Sequence, residues 1–542
     1  MTERGQGGPP LQSARRLSER PLAERDTVPH TGNVTKYWSG LAWSIGSSVA
    51  RLLVSVGSSI LFVRYLGDAG YGSVIVMADL VTLLLVLLSF GLGVVQTREL
   101  PQLLAKGRKG EARDFIVRVM SIRVGWSLAG SVALLLASGW LRRTIYRGVP
   151  GGLLVVAAAL FPVQMLSTCF RGTLEVTYHQ KQVTLVDVLG LLARVILAVP
   201  VMVFDWGVVA FFWTQVFADG LVAVIYGAQF RRAVWAQVRG EPRKAFDEGF
   251  LKAGLGMMVL LLASSFIGKE LDTQLLSFRL GGTSLPEIAV YSVSFMFASR
   301  SLSFVGVGSG GVANLTQAIM SELKIKGLID DMRSLYESQL NIFYFISTPL
   351  VIGGAFLGEA LLEMMYGRAF AGRGLVFGLI LAGFGGTVIR TLNPAVLYAF
   401  RKDRLVIRSR VCWGLLNAIG SYSLAPHGAA GVALATAICM YGVAVTETIM
   451  VWRHIHFRIE PAYFLKLTGG SLFMCGAFVL AARAASGLPA LVAFAAAGSA
   501  GAASYYLAMV VMKPVSRVAM TTVLGELRFS KYVRLLLLPL SA

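Results

Sequence analysis

About fourteen apolar stretches alternate with short polar segments along this chain, each near the ~20 residues that a helix needs to cross the hydrocarbon core of a bilayer. The pattern predicts spans over 43–65, 73–95, 115–138, 151–172, 183–203, 207–229, 256–278, 288–310, 339–358, 372–394, 407–424, 428–450, 463–482 and 488–511. Lysine and arginine concentrate in every second polar segment. With the N-terminus in the cytoplasm, about 34 of them fall in cytoplasmic segments, about 8 outside and about 8 within spans, which is the orientation that positive residues favour. The clusters Arg401, Lys402, Arg404, Arg408, Arg410 and Arg231, Arg232, Arg239, Arg243, Lys244 are then both cytoplasmic. Arg142, Arg143 and Arg147, in an external loop, are the exception. The expectation is an all-α polytopic protein of the inner membrane with both termini in the cytoplasm.

Composition sharpens this picture. A net charge of +21 would suggest nucleic acid in a soluble protein, but 55% of the residues are hydrophobic and the basic ones flank the spans, where they meet anionic lipid. No nucleic-acid recognition module is legible. Cys169, Cys412, Cys439 and Cys475 all fall within spans and make no metal-spaced pair, so neither a metal nor a cofactor is expected. Residues 1–36 read as a disordered cytosolic tail without a cleavable signal, and Arg517–Pro539 suits a short helix lying on the inner leaflet.

The longest internal loops, 96–114, 230–255 and 311–338, leave no room for a soluble catalytic domain. An internal echo organises the rest. Arg64-Tyr65-Leu66-Gly67 followed by Tyr71 returns as Phe278-Arg279-Leu280-Gly281 followed by Tyr291. His179-Gln180-Lys181 returns as Phe400-Arg401-Lys402, each followed by a glycine-initiated helix, at Gly207 and Gly431. The echo predicts two parallel six-helix repeats, 37–245 and 246–456, around a central cavity. Two further helices over 457–512 and a basic tail over 513–542 follow.

Several segments resemble a known family. Arg64-Tyr65-Leu66-Gly67-x-x-Gly70-Tyr71-Gly72 is similar to the opening of bacterial polysaccharide exporters and flippases. Leu271-Asp272-x-x-Leu275-Leu276 with Tyr291-Ser292 resembles the acidic segment of their seventh helix, and Leu361–Phe370 the loop after their ninth. Pro426-His427-Gly428-Ala429-Ala430-Gly431-Val432-Ala433-Leu434-Ala435-Thr436 is similar to their Pro-x-Gly-x-x-Gly-x-Ala-x-Ala-Thr run. The resemblance covers about 36–512 and is to the polysaccharide transport (oligosaccharide flippase) family of the multidrug/oligosaccharidyl-lipid/polysaccharide exporter superfamily. It implies two lobes that carry undecaprenyl-diphosphate-linked oligosaccharide to the outer leaflet. It also implies contact with membrane lipids, and a polysaccharide polymerase and co-polymerase as possible partners. Where lipid II flippases carry an Arg-Asp pair in the first helix, this chain has Gly57-Ser58, which argues against a peptidoglycan precursor.

Charges within the spans, those of the seventh in its outer half, are the candidate site residues, because a charge at the bilayer centre costs about 2.5–3.5 kcal/mol on insertion scales unless it meets a partner or an aqueous cavity. Guanidinium groups replace phosphate hydration through paired hydrogen bonds, so Arg51, Arg300 and Arg194 are the expected cargo-phosphate contacts. Lys269, Glu270, Asp272 and Asp219 are expected to balance the cavity charge or carry a coupled ion. Lys269 and Asp272 share a helical face, and the competing structural reading is a salt bridge such as Arg300 with Asp272. Arg118 and Arg123 are expected to snorkel to the cytoplasmic face, and Arg390 to lie near a helix end at Asn393-Pro394. Two alternatives compete with the oligosaccharide flippase. One is a related exporter of lipid II or of a cationic drug, for which an acid-rich cavity would be expected. The other is a membrane glycosyltransferase or polymerase, which would need acidic or histidine groups in a large external loop. The only histidine placed outside is His427, in the turn motif.

Overall fold

The computed structural model describes residues 31–512 apart from 178, 247–248, 304–309, 486 and 488–489. Among these residues the regular structure is all helical, its main elements being α1 (Thr31–Leu88), α2 (Leu92–Ala105), α3 (Lys109–Thr144), α4 (Gly151–Val176), α5 (Gln180–Val203), α6 (Gly207–Phe230), α7 (Phe250–Ser265), α8 (Lys269–Leu280), α9 (Ser284–Ser303), α10 (Gly310–Ile325), α11 (Ile329–Tyr366), α12 (Gly374–Ala399), α13 (Asp403–Leu424), α14 (Gly428–Ile455), α15 (Pro461–Ala484) and α16 (Ala490–Met512). Of the disordered tail expected over residues 1–36, residues 1–30 lie outside the described residues, as do the surface helix over Arg517–Pro539 and the side chain of Arg51, whereas residues 31–36 are the first turns of α1.

Ten of the described helices are long and apolar enough to cross a membrane, or eleven if one bent pair counts as a span, fewer than the predicted fourteen. Three elements each run over two expected spans. Leu52–Leu88 is interrupted at Gly67, Phe250–Ser265 meets Lys269–Leu302 at a 63° bend, and Asp403–Ile455 contains the 3₁₀ turn Ala425–His427. Gly67 (φ 69°, ψ 175°) and Gly281 (φ 61°, ψ −134°), the two ends of the sequence echo, both leave helical space with a positive φ that disfavours any side chain. His427 occupies a turn as expected, and the following helix opens at Gly428 rather than Gly431.

Other differences have local causes. The expected loop 96–114 contains α2 and the first turns of α3, where the pairs Arg108–Glu111 and Asp114–Arg118 sit at helical spacing and carry the helix past its apolar run. The loop 311–338 is likewise mostly α10 and the start of α11. Pro394 lies inside α12 instead of ending it. Arg123 does not snorkel: it is buried, with Nη2 3.2 Å from Thr168 Oγ1.

Packing follows membrane logic, in which lipid is as apolar as the core. Helix α3 turns Trp126, Leu128, Val132 and Leu136 outward, and Ser131 inward to donate to the Ala158 carbonyl at 2.7 Å. Helices α3–α6 pack on one another and on α1, while α9 and α11–α14 form a second set of neighbours, with α15 and α16 attached to α11. Segments α8 and α9 lie against α1 and join the two sets. There the backbones nearly touch: a Cβ on Gly72 would sit 2.0 Å from the Leu285 carbonyl oxygen.

Candidate functional site: a charged cavity and a buried aspartate

The break at Gly67 starts a helical segment that carries Tyr71, Ile75 and Asp79 toward α8 and α9. Between these three segments lies a cavity of about 270 Å³ whose wall includes Tyr71, Lys269, Glu270, Phe295, Met296 and Arg300. Three of the candidate charges within the spans, Lys269, Glu270 and Arg300, therefore meet in one space. The lining mixes two cations and an acid with aromatic and apolar walls, chemistry that suits an anionic group attached to something less polar.

Lys269 does not pair with Asp272 despite their shared stripe. Its Nζ lies 2.6 Å from Oδ1 of Asp79, whose Oδ2 accepts from Thr273 Oγ1 at 2.9 Å. Asp79 was missed because it is one acid in an otherwise apolar span. The usable signal was the rule that an intramembrane charge needs a partner of opposite sign. Around this pair, Gln274 Nε2 donates to the Val76 carbonyl at 2.9 Å and Tyr146 OH donates to Gln274 Oε1 at 2.6 Å. On the Gly67 side, Arg64 Nη2 and Nε donate to the carbonyls of Met364 (3.1 Å) and Met365 (3.2 Å) at the end of α11. These bonds tie α1 to the end of α11, across the two sets of helices.

Asp272 is fully buried and separate from the cavity cations. Its Oδ1 accepts from Ser421 Oγ (2.8 Å) and Asn417 Nδ2 (3.1 Å); its Oδ2 accepts from Thr436 Oγ1 (2.7 Å) and from Tyr291 OH. These donors come from α9, α13 and α14, and all are neutral. The expected alternative, an Arg300–Asp272 bridge, is not among these contacts. Asn417 Oδ1 is buried beside the carboxylate with no hydrogen-bond partner. Neutral oxygens converging on one carboxylate are hard-ligand chemistry, able to hold a proton or a small monovalent cation.

Arg194 and Asp219 pair with each other on α5 and α6, Nη2 to Oδ1 at 2.5 Å, and Gln164 Nε2 donates to the other carboxylate oxygen at 2.7 Å. They are brought together away from the Lys269–Arg300 wall. No group of three or more histidine, cysteine, aspartate or glutamate residues that could hold a metal occurs among the described residues.

No curated protein sequence matches the chain significantly. Solved structures do match in fold. Lipid II flippase MurJ in an inward closed conformation superposes with a TM-score of 0.66 at 14% identity, covering 87% of this chain and 98% of that one. An inward-facing multidrug resistance MATE family transporter of the MOP superfamily gives 0.61 at 15% identity, over 75% and 94%. A MOP superfamily transporter from Pyrococcus furiosus gives 0.52 at 13% identity, over 76% and 96%. At such identities the likeness is one of fold. Sequence supplies the family: residues 37–312, just over half of the chain, match the polysaccharide biosynthesis protein family, and the protein belongs to it.

Proposed function

We propose that the protein is a flippase that moves undecaprenyl-diphosphate-linked oligosaccharide units across the inner membrane for surface polysaccharide synthesis. The observation that carries this reading is the joint presence of Lys269 and Arg300 on the wall of one cavity, in a chain of the polysaccharide biosynthesis family. The diphosphate must shed water to cross, and two fixed cations replace part of that hydration. Arg51, at mid-depth on the same first helix that leads to Gly67, is the third cation of this set. The Arg194–Asp219 pair then serves as a charge-balanced brace within the first lobe.

Fourteen crossings follow if Leu52–Leu88, the bent pair and Asp403–Ile455 each turn back on themselves, giving two parallel six-helix lobes and two appended helices, with both termini in the cytoplasm. Cargo enters from the cytoplasmic face and the lobes rock to release it outside. Asp272, with its ring of neutral oxygens, carries the coupled proton or monovalent cation that resets the cycle. No step of this cycle makes or breaks a covalent bond, so the protein acts as a transporter and its partners are the enzymes that build and polymerise the cargo.

Deletion in the native cell tests the reading. Loss of the protein should stop surface polysaccharide while lipid-linked units accumulate on the cytoplasmic leaflet, and complementation should restore export. Undiminished export with no such accumulation would overturn it.

A further inference from the structure

The exposed face of α6 changes character where the helix leaves its apolar run. Phe217, Leu221 and Val224 are 65%, 50% and 70% exposed, and an exposed apolar face on a spanning helix is one that meets lipid. Spaced four and three apart, they share a stripe with Ala228, and the same face continues into Arg231, Arg232, Ala236 and Arg239. Ala228 and these four residues line an open cavity of about 480 Å³. A π-helical turn over Arg231–Trp235 keeps them aligned. Residues four apart drift about 40° per step around an α-helix. The wider turn offsets that drift, so Phe230, Val234 and Val238 all stay buried on the opposite side.

None of these three arginines meets an acid among the described residues. Their neighbours are engaged: Arg118 and Arg243 are held by Asp114 at 2.8 and 2.6 Å, and Arg171 by Glu175 at 2.9 Å and Asp187 at 3.2 Å. In the second set of helices, Arg410 Nε meets Oε1 of the buried Glu447 at 3.3 Å. Three guanidinium groups around one cavity suit an anion with several acceptor oxygens, and a phosphate supplies them. The apolar stripe names what that phosphate is attached to. Phe217 lies about 16 Å along the helix from Ala228, close to the ~15 Å hydrocarbon depth of one leaflet. A soluble phosphate leaves that stripe bare, whereas a phospholipid covers it with its acyl chains.

We propose that this face binds an anionic glycerophospholipid, its phosphate among Arg231, Arg232 and Arg239 and its acyl chains along Val224, Leu221 and Phe217. The site goes beyond the flippase reading and does not depend on it. Full-length protein in detergent would be titrated with phosphatidylglycerol, with zwitterionic phosphatidylcholine as the comparison, and bound lipid counted by native mass spectrometry. Arg231→Gln, Arg232→Gln and Arg239→Gln should each weaken phosphatidylglycerol about fivefold, and the triple variant about a hundredfold. A second triple variant, Arg401→Gln with Arg404→Gln and Arg408→Gln, removes equal charge elsewhere and should retain the lipid. All six side chains are exposed, so unfolding temperatures without lipid should be alike in the three proteins.

Phosphatidylglycerol affinity that survives in the first triple variant, or falls equally in both, would overturn the site. So would equal retention of phosphatidylcholine by the unaltered protein. Two competitors decide the occupant. Glycerol 3-phosphate, which lacks acyl chains, should not displace the lipid; displacement at similar concentration would make this a soluble-phosphate site. Farnesyl diphosphate should compete no better than phosphatidylglycerol itself. Stronger displacement would make the face a loading site for prenyl-linked cargo and overturn its assignment to phospholipid.

Discussion

Arg300 and Lys269 bring two cations to the wall of one cavity, but their roles in transport differ in what can be tested. Lys269 is already engaged by Asp79 at 2.6 Å. Arg300 offers a planar fork that an ammonium group cannot reproduce. Arg300→Ala should abolish polysaccharide export with the protein still present in the membrane. Arg300→Lys should recover only part of it, about a tenth if one charge-assisted contact is lost. Surface polysaccharide normalised to membrane-bound protein reads the result. Asp272 makes a separate prediction. Moving one charge through a 100 mV potential is worth about 2.3 kcal/mol, or roughly fifty-fold in an equilibrium. In reconstituted vesicles, an imposed proton or sodium gradient should accelerate transport by the unaltered protein, and Asp272→Asn should retain only the slow, gradient-independent rate. An equal response in both proteins would remove Asp272 from coupling and leave it as a packing group tied to Tyr291, Ser421, Asn417 and Thr436.

At the scale of elements, the joint between α1 and the α8–α9 pair is held by the Asp79–Lys269 ion pair and by the close approach of Gly72 to Leu285. Asp79→Asn leaves the part-buried Lys269 ammonium without its partner and should destabilise by less than the ~3–5 kcal/mol of a fully buried pair, whereas Asp79→Leu with Lys269→Met, which removes both charges, should recover most of that stability. Thermal unfolding in detergent compares the two. Gly72→Val places carbon against a carbonyl and should destabilise by about 1–3 kcal/mol. The same joint marks what was legible from sequence. The Gly67 and Gly281 echo announced two helix breaks with matching positive φ, because glycine at a helix end has a backbone signature that survives in the letters. The partner of Lys269 was not legible, since stripe geometry identifies which residues share a face and says nothing about the helix packed opposite. Glu447 was likewise hidden: an acid deep in an apolar run reveals a need for a cation without naming Arg410. The helices that replaced the expected loops were invisible to a search for apolar windows, because charged i,i+3 and i,i+4 pairs extend a helix without adding apolarity.

For the whole molecule, the proposed orientation and lobe count rest on the lysine and arginine distribution, and the proposed fourteen crossings on three elements that each cover two expected spans. Reporter fusions after Lys106, Lys244 and Arg404 should report cytoplasm, and fusions near Asp205 and His427 the outside. Opposite locations for Lys244 and Arg404 would contradict the parallel two-lobe arrangement. The central claim, that the protein carries a diphosphate-linked oligosaccharide across a bilayer, is tested most directly by translocation in proteoliposomes. Purified protein would be reconstituted with a labelled prenyl-diphosphate oligosaccharide, and its appearance in the opposite leaflet followed through access to an added glycosidase. The expected result is protein-dependent translocation well above empty vesicles, reduced to near background by Arg300→Ala. Translocation indistinguishable from empty vesicles would contradict the claim.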